Sequence, residues 1–236
     1  MNFFPKHIAI IPDGNRRWAR NRGLNPWIGH QNGAKTFEKI LEKTIELKIP
    51  YTSFWGASWD NLTKRNKTEV NFLVNVFTKY FKKIAKDERT HRNEVMVRVL
   101  GRWKKILPAT TQDAINQAIE STKNYNKYFL TLLIAYDGRD EMIECIQKIT
   151  NENKNSQVKI DSELIKKHLW TKDLPSVDLV VRTGSKEDPH ISGGFMMWDT
   201  AYSQLDFTKT LFPDFSQKEF EKIIIHYSKR ERRMGA

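Results

Sequence analysis

The chain predicts an α/β fold: one domain over residues 1–236 with a central, mostly parallel β-sheet of about six strands flanked by helices. Three observations carry that expectation. Apolar runs of strand length alternate with stretches whose apolar residues recur at helical spacing, the pattern of a parallel sheet covered on both faces. No internal repeat and no low-complexity linker divides the 236 residues, a length that suits one sizeable core. Finally, three polar clusters each follow an apolar strand, which sets them at the carboxyl edge of the sheet, where such folds bind ligands.

The elements follow in order. HIAII (7–11) is a continuous apolar strand, and AKTFEKILEKTIELK (34–48) places Phe37, Ile40, Leu41 and Ile45 at helical spacing. YTSFW (51–55) is the second strand. A long helix over 70–85 carries Phe72, Leu73, Val76, Phe77, Tyr80, Phe81 and Ile84 along one face. VMVRVLG (95–101) is a strand, and PATTQDAINQAIESTK (108–123) begins with the proline that helices favour in their first turn. YFLTLLIAY (128–136) is a strongly apolar strand, followed by a helix over 139–152 and a strand at VDLVVR (177–182). The last helix opens at Ser216, with Glu219 in capping-box spacing. Right-handed crossovers should join the strands.

Composition narrows the function. A formal net charge of +12 implies polyanionic company: nucleic acid, an anionic membrane surface or phosphate-bearing small molecules. Lysines spread along helices rather than gathered on one stripe, and the lack of a nucleic-acid motif, argue against nucleic acid. Cys145 is the sole cysteine, which excludes an internal disulfide and a Cys-rich zinc site; its setting, MIECIQKI, marks it as a packed core thiol. No run of eighteen apolar residues occurs, and the N-terminus lacks the apolar stretch of a secretory signal. A cytoplasmic protein is expected, free to touch a membrane peripherally with its positive charge.

The densest chemistry lies in HIAIIPDGNRRWARNRG (7–23), where a buried strand runs into an acid, a glycine and a cluster of cations. Asp-Gly-Asn is good turn chemistry, so a plain surface turn is the bland reading. The polar clusters GASWDNLTKR and RTGSKEDPH at the tips of two other strands favour one shared site. Asp13 is a hard oxygen ligand suited to Mg²⁺ that bridges to a diphosphate. Gly14 and Asn15 allow close backbone approach, with amides aimed at phosphate if a helix starts here. Arg16, Arg17 and Arg20 add charge, and Arg65 and Arg182 arrive from other strands, each a planar fork that matches phosphate. No Gly-Lys-Ser loop and no GxGxxG supports a nucleotide site.

At these residues the chain resembles the cis-prenyltransferases, the undecaprenyl diphosphate synthase family. HIAIIPDGNRRWAR…G…GH is similar to that family's first signature region, SWDNLTKRNKTEV to its second, DLVVRTG…ISGGFMMWDTAYSQLDFTKTLFPDF to its third, and RERRMGA to its C-terminal ending. The four matches keep their order over nearly the whole chain. The resemblance implies a homodimer and Mg²⁺-dependent condensation of isopentenyl diphosphate onto an allylic prenyl diphosphate with a new cis double bond. It implies Asp13 as the metal and diphosphate carboxylate; Gly14, Asn15, Arg16, Arg17 and His30 as holders of the allylic diphosphate; Trp18 and Phe54 near its first carbons; and Ser58 and Asn61 beside the reacting carbon. Arg182 and Ser192 would hold isopentenyl diphosphate, helped by an Arg233–Gly235 segment reaching the partner subunit's site. Asn61 is no strong base, so Asp13 or the released diphosphate is the expected proton acceptor. The growing chain needs a greasy tunnel, for which the helix over 70–85 and the strand over 129–134 are candidates, although such residues are more often plain core.

The chain also departs from the family pattern. Asp60 stands where the family has Glu, the spacing to Arg65 is one residue longer, Asn66 replaces a proline, and Lys64 is therefore an alternative to Arg65. Pro26 stands where an Arg is often found, the loop from Gly184 to Ser192 is longer, and His190 replaces an Arg. Gln204 replaces a Glu, so any role of that carboxylate must be lost or moved to Asp206 or Asp199. Three readings follow: an active chain elongator, a member joining short prenyl units in a branched, head-to-middle manner, and a non-catalytic partner subunit. Intact Asp13 speaks against the last. His7, His168 and His226 read as structural, and Phe195 and Trp198 as core.

Overall fold

A computed structural model describes residues 4–154 and 157–230. Its strands are β1 (His7–Ile11), β2 (Tyr51–Ala57), β3 (Val95–Leu100), β4 (Tyr128–Ile134), β5 (Leu179–Arg182) and β6 (Gln204–Phe207). They form one sheet, ordered β3-β4-β2-β1-β5-β6, with every neighbouring pair parallel. The helices are α1 (Asn15–Arg20), α2 (Pro26–Glu46), α3 (Trp59–Thr63), α4 (Lys67–Ile84), α5 (Glu88–Arg92), α6 (Trp103–Ile106), α7 (Ala109–Thr122), α8 (Gly138–Glu152), α9 (Ser162–His168) and α10 (Gln217–Ser228).

The period-two alternation of a strand sorts β1 between two cores. Ile8 and Ile10 pack with Phe37 and Ile40 of α2, Leu73 and Phe81 of α4, Ile115 of α7 and Phe220 of α10. Ala9 and Ile11 face the opposite way, onto Trp55, Tyr136, Val180 and Phe195. Covered on both sides, β1 is buried along its whole length, which is why its sequence is continuously apolar rather than alternating. Cys145 is fully buried in a smaller cluster with Ile149 and Leu169.

The sequence reading does not include the short helices α3, α5, α6 and α9, and two further differences have a clear cause. Helix α2 begins at Pro26 rather than near residue 34, because proline suits the first helical turn and the polar, glycine-bearing stretch PWIGHQNG packs against α1 rather than showing an apolar stripe. Strand β6 has only four residues and lies at the sheet edge, so it lacks the apolar run that marks the inner strands.

The sheet order sets the site. From β1 the chain builds outward through β2 on one side, then returns to place β5 on the other. The crevice beyond the tips of β1 and β5 is the switch point where parallel sheets take ligands. Register puts Ile11 opposite Arg182, and Arg182 opposite Phe207, at that edge.

Candidate active site

The chain leaves β1 through Pro12 and Asp13 into Gly14, whose φ of 104° is a conformation that side chains disfavour. That turn swings Asp13 over the sheet edge. Its main-chain oxygen accepts hydrogen bonds from the Thr183 hydroxyl (2.7 Å) and from the Phe212 N–H (3.0 Å), which fixes the residue from two sides. Its carboxylate meets Arg182 Nη2 at 2.8 Å and Arg17 Nη2 at 3.3 Å. Arg182 ends β5, is 6% exposed, and donates from Nη1 to the Ser192 hydroxyl at 2.9 Å and the His190 carbonyl at 2.7 Å. The first and third sequence clusters are thus one structure.

Helix α1 is pressed against α2 at two glycines. A Cβ at Gly29 would lie 2.0 Å from the Asn15 carbonyl oxygen, and one at Gly33 would lie 2.1 Å from Asn15 Oδ1. This contact brings His30 to the sheet edge. Asn15 donates to the Pro12 carbonyl at 3.0 Å, while its Oδ1 is buried without a partner.

The second cluster follows β2. Ser58 and Asn61 form the capping box of α3: the Asn61 N–H donates to Ser58 Oγ at 3.0 Å, and Asn61 Oδ1 faces the Ser58 N–H at 3.5 Å. The family resemblance places both beside the reacting carbon; the fold also uses them to start a helix. With Oδ1 so engaged, the Asn61 amide keeps its NH₂ as the donor left for a ligand. Further on, Arg65 reaches Glu69 at 3.0 Å, and Glu69 also holds His30 at 3.2 Å. Burial pushes the His30 imidazole below its ordinary pKa, against the opposing pull of Glu69. Burial would raise the Glu69 carboxyl, but His30, Arg65 and Arg16 outweigh it and hold the group below its usual value.

These groups line a polar chamber, open to solvent, of about 280 Å³: Asp13, Asn15, His30, Ser58, Asn61, Arg65, Arg182 and Ser192. Asp13 also lines the concavities on either side. One carries Gly14, Arg16, Arg17 and Arg20, and the other carries Arg182, Ser185, Lys186, His190 and Lys209. Through Pro12, Asn15, His30, Gly56 and Leu73 the chamber adjoins a narrow apolar channel of about 100 Å³. Phe37, Phe54, Val76, Phe77, Tyr80, Phe81, Ile84, Leu132, Ile134 and Phe212 wall that channel. Residues of the helix over 70–85 and, from the strand over 129–134, Leu132 and Ile134 thus line this apolar space.

Most residues named from the sequence meet here, with exceptions. Trp18 does not reach the chamber: its indole N–H donates to Asp214 Oδ1 at 2.7 Å, and Arg22 lies over its ring. Phe54 lines the channel rather than the polar chamber. Lys64 pairs with Asp60 at 2.9 Å near the surface, so Arg65 is the cation at the chamber. Gln204 sits at the start of β6, in register with Leu179 at the opposite end of the sheet from Asp13. Neither acid considered as its substitute reaches the chamber: Asp206 pairs with Arg230, and Asp199 with Lys166. Arg233 and Gly235 lie outside the described residues. Sequence reasoning missed Glu69, because Arg65 precedes α4 and the two meet across the start of the helix rather than along one helical face. It also named neither Lys186 nor Lys209, although Lys186 lies within the cluster RTGSKEDPH and Lys209 within the third family-like stretch.

Among the described residues no group of three His, Cys, Asp or Glu converges as a protein-only metal cage. A lone carboxylate beside an arginine-lined concavity suits an ion whose shell is completed by substrate oxygens and water.

A parallel sheet with cation-lined strand tips beside an apolar channel is the kind of site that suits ligands joining a phosphate head to a hydrocarbon chain. The comparisons agree. A family profile described as "Putative undecaprenyl diphosphate synthase" matches residues 11–235. A relative from Pyrococcus abyssi, "Tritrans,polycis-undecaprenyl-diphosphate synthase (geranylgeranyl-diphosphate specific)", is 41% identical and covers 98% of this chain and 87% of its own length. One of the same description from Methanocaldococcus jannaschii is also 41% identical, covering 98% and 82%. Among solved structures, lavandulyl diphosphate synthase from Lavandula x intermedia in complex with dimethylallyl diphosphate superposes with a TM-score of 0.90 at 28% identity, covering 99% of both chains. A probable undecaprenyl diphosphate synthase from Campylobacter jejuni gives 0.79 at 27% identity, covering all of both chains. The chain belongs to the undecaprenyl diphosphate synthase family, and it is a prenyltransferase.

Proposed function

We propose that the protein extends an allylic prenyl diphosphate, geranylgeranyl diphosphate foremost, by repeated cis condensation with isopentenyl diphosphate. The observation that carries the reading is the apolar channel opening from the polar chamber, since a lengthening hydrocarbon needs a dry space next to the anion site. The geranylgeranyl-specific relatives support the choice of starter.

Arg16, Arg17, His30 and Arg65 would bind the allylic diphosphate, with Gly14 giving its backbone room. As the allylic C–O bond breaks, charge develops on the departing diphosphate, and these prearranged donors stabilise it. Phe54 and the channel wall exclude water from the allyl cation. Arg182, Ser192 and His190 would hold isopentenyl diphosphate on the other side of Asp13. Ser58 and Asn61 stand between the two, where the carbon–carbon bond forms, and the proton lost from the former isopentenyl C2 passes to Asp13 or to the released diphosphate. Asp13 is also the carboxylate that would hold Mg²⁺, whose chemistry is charge stabilisation of the leaving oxygens.

The remaining parts of the reading concern assembly and place. The open edge of β6, with Tyr202 91% exposed, supports a homodimer formed there. Among the described residues no helix is long and apolar enough to cross a membrane. A cytoplasmic enzyme with peripheral membrane contact through its positive charge fits that observation.

The test is an assay with labelled isopentenyl diphosphate, Mg²⁺ and geranyl, farnesyl or geranylgeranyl diphosphate in turn. Long polyprenyl products, most from geranylgeranyl diphosphate and absent with Asp13→Ala, are expected. A single short branched product would replace this reading with head-to-middle condensation.

A further inference from the structure

Glu69 is out of character with its surroundings: a buried carboxylate among cations that face an anion site. It rises from the first turn of α4 and is 8% exposed. Its Oε1 meets two guanidinium groups and an imidazole from three parts of the chain: Arg65 Nη1 at 3.0 Å, Arg16 Nε at 3.6 Å and His30 Nε2 at 3.2 Å. All three line the concavities beside Asp13, whereas Glu69 does not. These side chains therefore stand between this carboxylate and the ligand space.

We infer that Glu69 is the positioning residue of the diphosphate site, holding Arg16, His30 and Arg65 in place before the ligand arrives and favouring the charged form of His30 when it does. The inference rests on the reading above only in taking the diphosphate held there to be that of the allylic substrate.

Two physical arguments support it. Cations gathered at one concavity repel each other, and long side chains free to move would turn to water, so binding would have to order them again. A carboxylate placed behind them offsets the repulsion and takes one donor from Arg65, which retains others for phosphate. The second argument concerns His30. Its Nε2 is engaged by Glu69, leaving Nδ1 for any ligand. In the neutral ring that nitrogen carries no hydrogen, whereas in the imidazolium it donates. Glu69 of α4 favours the imidazolium, while Arg65 before α4, Arg16 of α1 and burial disfavour it. A bound diphosphate adds the negative charge that tips the balance, so binding takes up a proton at His30.

The experiment titrates the full chain with inorganic diphosphate by calorimetry between pH 6 and 8.5. It compares wild type, Glu69→Gln, His30→Gln and the double variant, and measures KM for both substrates in parallel. Glu69→Gln is expected to weaken diphosphate binding and raise KM for the allylic substrate by about 10- to 100-fold. KM for isopentenyl diphosphate should stay within about twofold, because its holders lie across Asp13. Wild-type affinity should fall as pH rises, Glu69→Gln should move that fall to lower pH, and His30→Gln should remove it. The double variant should lose less than the product of the single losses. Wild-type affinity and pH profile in Glu69→Gln would overturn the inference, as would equal losses for both substrates that merely follow a lowered melting temperature. If Glu69→Gln does not fold, Glu69→Asp keeps the charge but withdraws it, and unchanged affinity there is equally decisive. A wild type that binds diphosphate in this way yet forms no prenyl product keeps the inference and overturns the proposed function. Product formation with Glu69→Gln unaffected does the reverse.

Discussion

The two ends of β1 treat their polar groups in opposite ways. At the start, His7 is fully buried and fully paired: Nδ1 meets the Pro175 carbonyl and Nε2 the Ser53 hydroxyl, each at 2.8 Å. At the tip, Asn15 Oδ1, Arg182 Nε and Ser185 Oγ are buried without a hydrogen-bond partner and lie on residues that line the concavities around Asp13, whereas other such atoms, among them Thr171 Oγ1 and Asp199 Oδ2, lie on residues away from Asp13. An unpaired buried group costs stability, and one that opens onto a concavity is placed where a ligand can complete it. Five residues of strand separate an end built for folding from an end built for binding.

The contrast yields three predictions, from the largest effect down. At the tip, Arg182→Met removes the cation that joins Asp13, Ser192 and His190. It should lower kcat/KM by about 10²- to 10³-fold while circular dichroism shows the fold retained. A melting temperature that collapses with activity would mean that the tip, too, serves folding first.

At the other end, burial lowers the His7 pKa from 6.5 to about 4. The folded state therefore favours neutral His7, and between these values the unfolded chain binds more protons. Stability from this residue is complete above pH 6.5 and is lost as pH falls towards 4, by about 3 kcal/mol in total. Thermal melts across that window should show the loss, and His7→Gln should flatten it without changing turnover at pH 8. A pH dependence unaltered by His7→Gln would break the comparison at this end.

The smallest effect belongs to Trp18, which lies beside the tip but is bonded to Asp214. Trp18→Phe should keep KM for the allylic substrate within about threefold, since it loses one exposed hydrogen bond and not a ligand contact. A larger rise in KM would sharpen the boundary of the binding end by extending it to α1's outer side.

The same contrast explains what the sequence made legible. The inner strands announce themselves because both faces are buried, so the residues of IAII (8–11) are all apolar and the one polar residue of β1, His7, has a partner at each ring nitrogen. The tip residues stand out because charge directly after such a strand has no packing reason. Strand β6 stayed hidden because its alternation, Gln204-Leu205-Asp206-Phe207, spans only four residues, too few to stand out as a pattern. The first turns of α2 stayed hidden because their fit to α1 depends on glycine at 29 and 33, a matter of distance between helices rather than of pattern. Gln204 and Trp18 looked like site residues by position in a motif, yet register and a hydrogen bond direct both elsewhere. Glu69 shows the converse: what it does depends on which side chains three separate parts of the chain bring to it.

The sheet order has one more consequence, and it concerns time. The crevice needs both Asp13 and Arg182, whose paired side chains stand 169 positions apart. A chain emerging from the ribosome shows its most distinctive motif first but cannot assemble the pocket around it until β5 has been made. Contacts this distant in sequence form slowly and late. Until then the arginines of α1 have no Arg182 beside Asp13 and no assembled chamber, so affinity for a diphosphate belongs to the finished chain and not to its leading half.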